Sequence, residues 1–200
     1  MPTFPNIPFT NMSLSSNNPT RVTKSINGIE QRDALGSQYY SLNVTFQNLS
    51  KANQRTLMGF IDEMQGPLTA FDIALPSYLG NSTGVYTGTI SVPGSHAVGS
   101  TTVNITTPTA GVGDIVLKAG DLVRFSNHSK VYSVKSDRTA NPPSAVTLTL
   151  NQALRSAVSA VTLVHQSLTM SVRFADDISN FQVDQREYAT FSLTFNEVLV

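Results

Sequence analysis

Along residues 40–47 apolar and polar side chains alternate without a break. Tyr40, Leu42, Val44 and Phe46 fall on one side, and Ser41, Asn43, Thr45 and Gln47 on the other. That period of two predicts a strand with one buried and one wet face. The period then changes. Leu57, Phe60, Ile61 and Met64 are spaced i, i+3, i+4, i+7, which predicts one apolar stripe on a helix over Ser50–Gln65. Ser50 is its candidate N-cap, Gly66 supplies a left-handed cap, and Pro67 stops the ladder. Thr69–Leu75 returns to alternation and predicts a second strand.

Upstream, Pro2, Pro5 and Pro8 predict an extended arm, since proline donates no ladder hydrogen bond. Arg21–Ile26 and Ile29–Asp33 flank Asn27-Gly28, which predicts a hairpin with a I′ turn. After Pro76 the texture becomes rich in Gly, Ser and Thr. Short strands are expected at Val85–Ser91, Thr101–Thr106, Asp114–Lys118, Asp121–Ser126, Lys130–Ser136, Ala145–Leu150 and Ala160–Val164, with one helical turn over Asn151–Ser156. So many short strands in so few residues suggest a small barrel of the OB or SH3-like kind. Leu168–Phe174 and Tyr188–Phe195 then resume the long, regular alternation of the first part. The economical reading is one domain built from both ends of the chain, with a second β domain inserted between.

Composition narrows the classes. The 200 residues are sufficient for stable cores, and 40% of them are hydrophobic, which excludes general disorder. Thirteen Lys/Arg balance thirteen Asp/Glu, so no basic footprint for nucleic acid is present and little net repulsion opposes self-association. Without cysteine there is no disulfide framework, thiol nucleophile or thiolate metal site. No apolar run reaches spanning length, so membrane insertion is not expected. The N-terminal residues lack the pattern of a secretory signal, so synthesis in a cytosol is expected.

The candidate chemistry is sparse. His96, His128 and His165 stand in separate contexts and are read as structural or surface residues. Gly111-Val112-Gly113-Asp114 precedes a strand and lacks the third glycine of a dinucleotide fingerprint, so it reads as a turn. Asp176-Asp177, with Asp184 and Glu187 nearby, reads as a turn between strands, with an ion or partner contact as the alternative. Sequons at Asn11, Asn43, Asn48, Asn81, Asn104 and Asn127 follow from the Asn/Ser/Thr-rich composition. Tyr78, Tyr86 and Tyr132 could form a sugar platform but more often sit half-buried in strands. A glycan hydrolase would need two convergent carboxylates, and Asp137, Asp176, Asp177 and Glu187 are the available donors. No catalytic constellation emerges: the expectation is no enzyme, no cofactor and no metal.

The segments YYSLNVTFQNLS, KANQRTLMGFIDEMQGP, LTAFDIALP and REYATFSLTFNEVL together resemble tail proteins of long-tailed bacteriophages, in style the distal tail protein. LKAGDLVRFSNHSKVYSVKSD resembles the domain that one branch of that family inserts, where Gly-Asp precedes a strand and Val-Tyr-x-Val follows it. By order of elements the resemblance covers nearly the whole chain. It implies a mainly β fold: a tail-tube-like β-sandwich or barrel with one flanking helix, from residues 1–80 and 167–200, plus an inserted OB-like β-barrel over 81–166. It also implies a homohexameric ring at the virion's tail tip, made in the host cytoplasm. Such a ring joins the tail tube and other tail-tip proteins to the host-recognition apparatus, and DNA is only a passing, non-specific cargo. The residues expected at its subunit interface are Tyr39, Ser41, Asn43 and Thr45 on the polar strand face, with Asp176 and Asp177. The inserted barrel could touch a cell-surface saccharide, and a carbohydrate-binding or adhesin module acting through it is the alternative function.

Overall fold

The computed structural model describes residues 1–77, 86–142, 145–177, 181–183 and 189–199. The fold is mainly β with one α-helix. Its residues cluster into two compact units: Met1–Asp72 with Val172–Val198, and Ile73–Ser171 with Leu199–Val200.

The first unit carries β1 (Asn11–Asn17), β2 (Thr20–Lys24), β3 (Glu30–Ala34), β4 (Tyr39–Leu49) and α1 (Lys51–Met64). Its main sheet also takes in β5 (Phe71–Ala74), β14 (Thr169–Phe174), β15 (Phe181–Val183) and β16 (Ala189–Glu197), in the order β1-β4-β16-β14-β5, with β15 also on β16. All the registered pairs of this sheet are antiparallel. The alternation expected in β4 and β16 is observed: Leu42, Val44, Phe46, Phe191, Leu193 and Phe195 are buried. Beneath them Phe4, Phe46, Phe60, Phe71, Phe174 and Phe195 form a continuous cluster of ring contacts, 5.1–6.0 Å between centroids. Edge-to-face and tilted arrangements predominate, as the ring quadrupoles favour. Leu57, Phe60 and Met64 are the buried positions of α1, while Ile61 stays half-buried. Ser50 caps the helix by accepting from the Asn53 N–H at 3.4 Å.

Several local expectations need correction. The left-handed helix cap begins one residue early, at Gln65 (φ 53°), and continues through Gly66 (φ 64°) into a short 3₁₀ turn, Gly66–Leu68. The hairpin loop is not a I′ turn. Gly28 alone takes a positive φ (78°), its N–H donates to the Ser25 carbonyl, and the Ser25 N–H donates to the Ile29 carbonyl. A three-residue loop with a left-handed glycine satisfies the strand twist as well as a I′ turn does. The N-terminal arm is extended as expected, but it is also structural: Thr3 bridges Asp72 in parallel, so the outer edge of β5 is covered. Strand β1 was not anticipated, because only Met12 and Leu14 mark its alternation.

The second unit contains β6 (Ile90–His96), β7 (Thr102–Ile105), β8 (Ile115–Leu117), β9 (Leu122–Phe125), β10 (Val131–Ser133), β11 (Arg138–Thr139), β12 (Val146–Thr149) and β13 (Val158–Val164). Its sheets are β10-β9-β13-β6, β11-β8 and β12-β7. The junctions Ser91–Thr106 and Val134–Leu150 are single bridges, so these ladders do not close into a barrel. The β6 strand lies later than expected, running over Pro93 to His96, a placement that suits proline because β6 is the sheet's edge. Opposite it the β13 register shifts at Ala160, whose φ is 50°. Asn151–Ser156 forms bends, not a helical turn. The core is aliphatic, with Tyr86, Phe125 and Tyr132 as its aromatic members.

Candidate functional site

The side of the unit 1 sheet opposite the phenylalanine cluster is built from β1, β4 and β16. The register sets Ser13, Asn43 and Thr194 in one row and Ser15, Ser41 and Asn196 in the next. Asn17, Thr45, Gln47, Thr190 and Ser192 extend the same face. Every side chain named is a hydroxyl or an amide. They bond to one another across the strands: Asn17 Nδ2 donates to Ser41 Oγ at 2.7 Å, and Ser41 Oγ donates to Asn196 Oδ1 at 2.7 Å. Asn43 Nδ2 donates to Thr194 Oγ1 at 3.4 Å. The only charge that the described register adds to this face is Arg173, opposite Asn196 on β14. The result is a hydrated, nearly uncharged wall.

Of the expected interface residues, Tyr39, Ser41, Asn43 and Thr45 all lie on this wall. Their strand is interior, paired with β1 on one side and β16 on the other, so its backbone offers no free edge. Among the described residues β1 is an outer edge of the sheet, where Met12 and Leu14 remain half-buried. Asp176 and Asp177 are exposed elsewhere, in the turn after β14, and the Asp177 backbone passes 3.4 Å from where a Cβ on Gly66 would stand. The four strand residues therefore share one surface, and the two aspartates share another with the end of α1.

The remaining candidates have local duties. His96 Nε2 accepts from the Asn104 N–H at 3.2 Å. His128 is 3.0 Å from the Tyr132 hydroxyl through Nε2 and 3.0 Å from Asn127 Oδ1 through Nδ1, and the Arg155 N–H donates to the same hydroxyl. His165 Nε2 donates to the Gly88 carbonyl at 3.0 Å, and its ring stacks on Tyr86. Burial lowers the pKa of both His128 and His165. The nearby Arg124 adds to the effect at His128, while the Gly88 bond and Asp121 oppose it at His165. Among the described residues no three His, Asp or Glu side chains gather as metal ligands. Gly111–Asp114 closes a turn through the Gly111 N–H and Asp114 Oδ2, 2.6 Å apart.

Tyr86 and Tyr132 are buried and cannot present rings to a sugar, because each ring is committed to the core. Tyr78, Asn81, Asp184, Glu187 and Tyr188 lie outside the described residues. Asp137 Oδ1 accepts from the Ala119 N–H at 2.8 Å, a turn-closing role. Compared with protein-family models and with curated protein sequences, the chain matches none.

Proposed function

We propose that this chain is a structural ring-forming protein of a bacteriophage tail tip, with the wall of β1, β4 and β16 lining a channel through which DNA passes. The observation that carries the reading is that wall: hydroxyl and amide side chains over three strands with almost no cation. A polyanion is held by lysine and arginine through release of its counterions, so a wall without them lets DNA slide. The charge distribution points the same way. The unit 1 segments carry seven Lys/Arg against ten Asp/Glu, and the unit 2 segments six against three. A neutral total thus conceals an acidic unit around the wall and a basic one in the insert.

In this reading unit 1 is a tail-tube-like β layer with its helix, and the β1 edge pairs with a neighbouring subunit, which covers that edge. Unit 2 is a relative of the OB-like barrels whose circuit of strands is completed by bridges instead of ladders. Its partners would be the tail tube, other tail-tip proteins or a host-surface saccharide.

Native mass spectrometry with negative-stain imaging tests this. The expected result is a six-fold ring with an open channel. A monomer at every concentration, alone and with tail-tube protein, would overturn it.

A further inference from the structure

Glycine follows asparagine once in this chain, at Asn27-Gly28 in the loop that joins β2 to β3. Residues 25–29 and all ten strand residues of the hairpin are exposed. An asparagine is chemically labile where the next backbone nitrogen can reach its side-chain amide carbon. Glycine leaves that nitrogen unshielded, and a Cβ placed on Gly28 would meet nothing within 4 Å. The Asn27 side chain bonds to none of the described residues. One contact restrains the nitrogen: the Gly28 N–H donates to the Ser25 carbonyl at 2.9 Å. That bond closes a surface loop on a two-stranded ribbon without a buried residue, where local opening costs little.

Asparagines elsewhere show what this site has and they lack. Asn18 and Asn141 precede proline, whose nitrogen carries no proton to lose. Asn43 and Asn104 lie inside β4 and β7, and the branched side chains of Val44 and Ile105 crowd the nitrogen that follows. Asn127 Nδ2 donates to the Ala157 carbonyl and Asn151 Nδ2 to Ser133 Oγ, each at 2.9 Å, so their amides are held. Asn27 alone of these has a glycine behind it, a free amide and an exposed loop.

We propose that Asn27 is a self-modification site, which the folded chain converts to aspartate and isoaspartate through a cyclic imide. The Gly28 nitrogen loses its proton to hydroxide and attacks Asn27 Cγ. The N–Cγ bond forms, the Cγ–Nδ2 bond breaks, and ammonia leaves with a proton from water. Water then opens the imide at the side-chain carbonyl, giving aspartate, or at the main-chain carbonyl, giving isoaspartate. One water is consumed, one ammonia is released, and nothing is oxidised or reduced. The hairpin carries Arg21, Lys24 and Arg32 against Glu30 and Asp33, so the new carboxylate cancels its one net positive charge. Isoaspartate also lengthens the backbone between Ser25 and Ile29, whose N–H and carbonyl pair across the loop at 2.9 Å. The proposal stands on the chemistry of this loop and not on the ring reading.

The test is a time course on the full-length folded protein in neutral buffer, followed by peptide mapping with mass spectrometry. The expected result is that the hairpin peptide gains the mass of amide-to-acid exchange and splits into two chromatographic products, aspartate and isoaspartate. It should convert at least about tenfold faster than peptides holding the six asparagines compared above. Asn27→Gln, an exposed change that leaves the fold intact, should abolish both products, because its longer side chain closes the ring far more slowly. The same chain held in urea gives the rate without the loop. A hairpin peptide that stays unchanged in the folded protein while it converts in urea would overturn the proposal, since the Ser25 bond would then hold Gly28 in place. Aspartate without isoaspartate would overturn the imide route, and equally fast conversion at any of those six asparagines would overturn the assignment to this loop.

Discussion

The two units bury their cores by different means. Unit 1 uses long strands with one face on a cluster of phenylalanines, so half of each strand stays wet. Unit 2 uses shorter strands, some apolar almost throughout, such as Leu122–Phe125, and others alternating, such as Thr102–Ile105, and it places polar groups inside its core: Asp121, Lys130 and His165 are all buried. A sheet with one open face is available for a partner or a channel. A core enclosed on all sides is not, and it depends instead on every buried polar group finding a partner. The first unit is therefore the place to look for function, and the second the place to look for sensitivity to conditions.

The largest effect expected from this contrast is at Phe71, fully buried and in ring contact with Phe4, Phe60, Phe174 and Phe195. Phe71→Ala should cost about 3–5 kcal/mol through lost transfer energy and an unfilled cavity. Amide exchange should accelerate in β4 and β16 while β9 and β10 keep their protection. Uniform acceleration through both would mean that the two cores fold as one. The counterpart in unit 2 is Gly88. A Cβ there would stand 2.5 Å from the Tyr86 hydroxyl and collide with Thr109 Oγ1 as well. That hydroxyl already bonds both Thr109 and the Thr89 carbonyl, so it has little freedom to yield. Gly88→Ala should cost about 1–3 kcal/mol as an overpacking change, read as faster exchange in β6 and β13 alone.

All three histidines belong to unit 2. His128 and His165 are held below the ordinary imidazole value, chiefly by burial, so on acidification the unfolded chain takes up protons that the native unit refuses. Stability is then full above the unfolded pKa of about 6.5 and falls as pH drops below it, levelling once the folded values are passed. Denaturation at pH 7 and pH 5 should show unit 2 weakened and unit 1 nearly unchanged. The double variant His128→Gln/His165→Gln should flatten that difference, and an unflattened slope would assign it to other groups.

The contrast was partly legible in the sequence. Strict alternation in β4 and β16 and the stripe on α1 identified the one-faced sheet and its helix, because burial on a single side imposes a period. The wall residues Ser41, Asn43 and Thr45 followed from the same period. Strand β1 escaped notice because two apolar residues in seven are too few to show one. Most short strands of unit 2 are legible in the sequence, but the expected closed barrel is not what their ladders build, since whether a junction is a ladder or a bridge depends on register that alternation alone does not fix. The surface beside the end of α1 was the least visible. Asp176 and Asp177 were singled out by composition, yet only the chain's path brings Asp177 beside Gly66.

The smallest expected effect on stability, and the sharpest test of the wall, comes from adding the charge it lacks. Asn43 and Ser192 are exposed on adjacent strands of that face, and the Asn43 bond to Thr194 is long at 3.4 Å. Asn43→Lys/Ser192→Lys should change stability by no more than about 0.5 kcal/mol, as surface substitutions do. If the wall is a passive channel lining, the same change should convert a protein that elutes freely from immobilised duplex DNA into one retained at low salt and released as salt rises. Wild-type retention as strong as the variant's would show that cations elsewhere already hold DNA. The face would then be an ordinary wet side of a sheet, and the comparison between an open and a closed unit would carry no function.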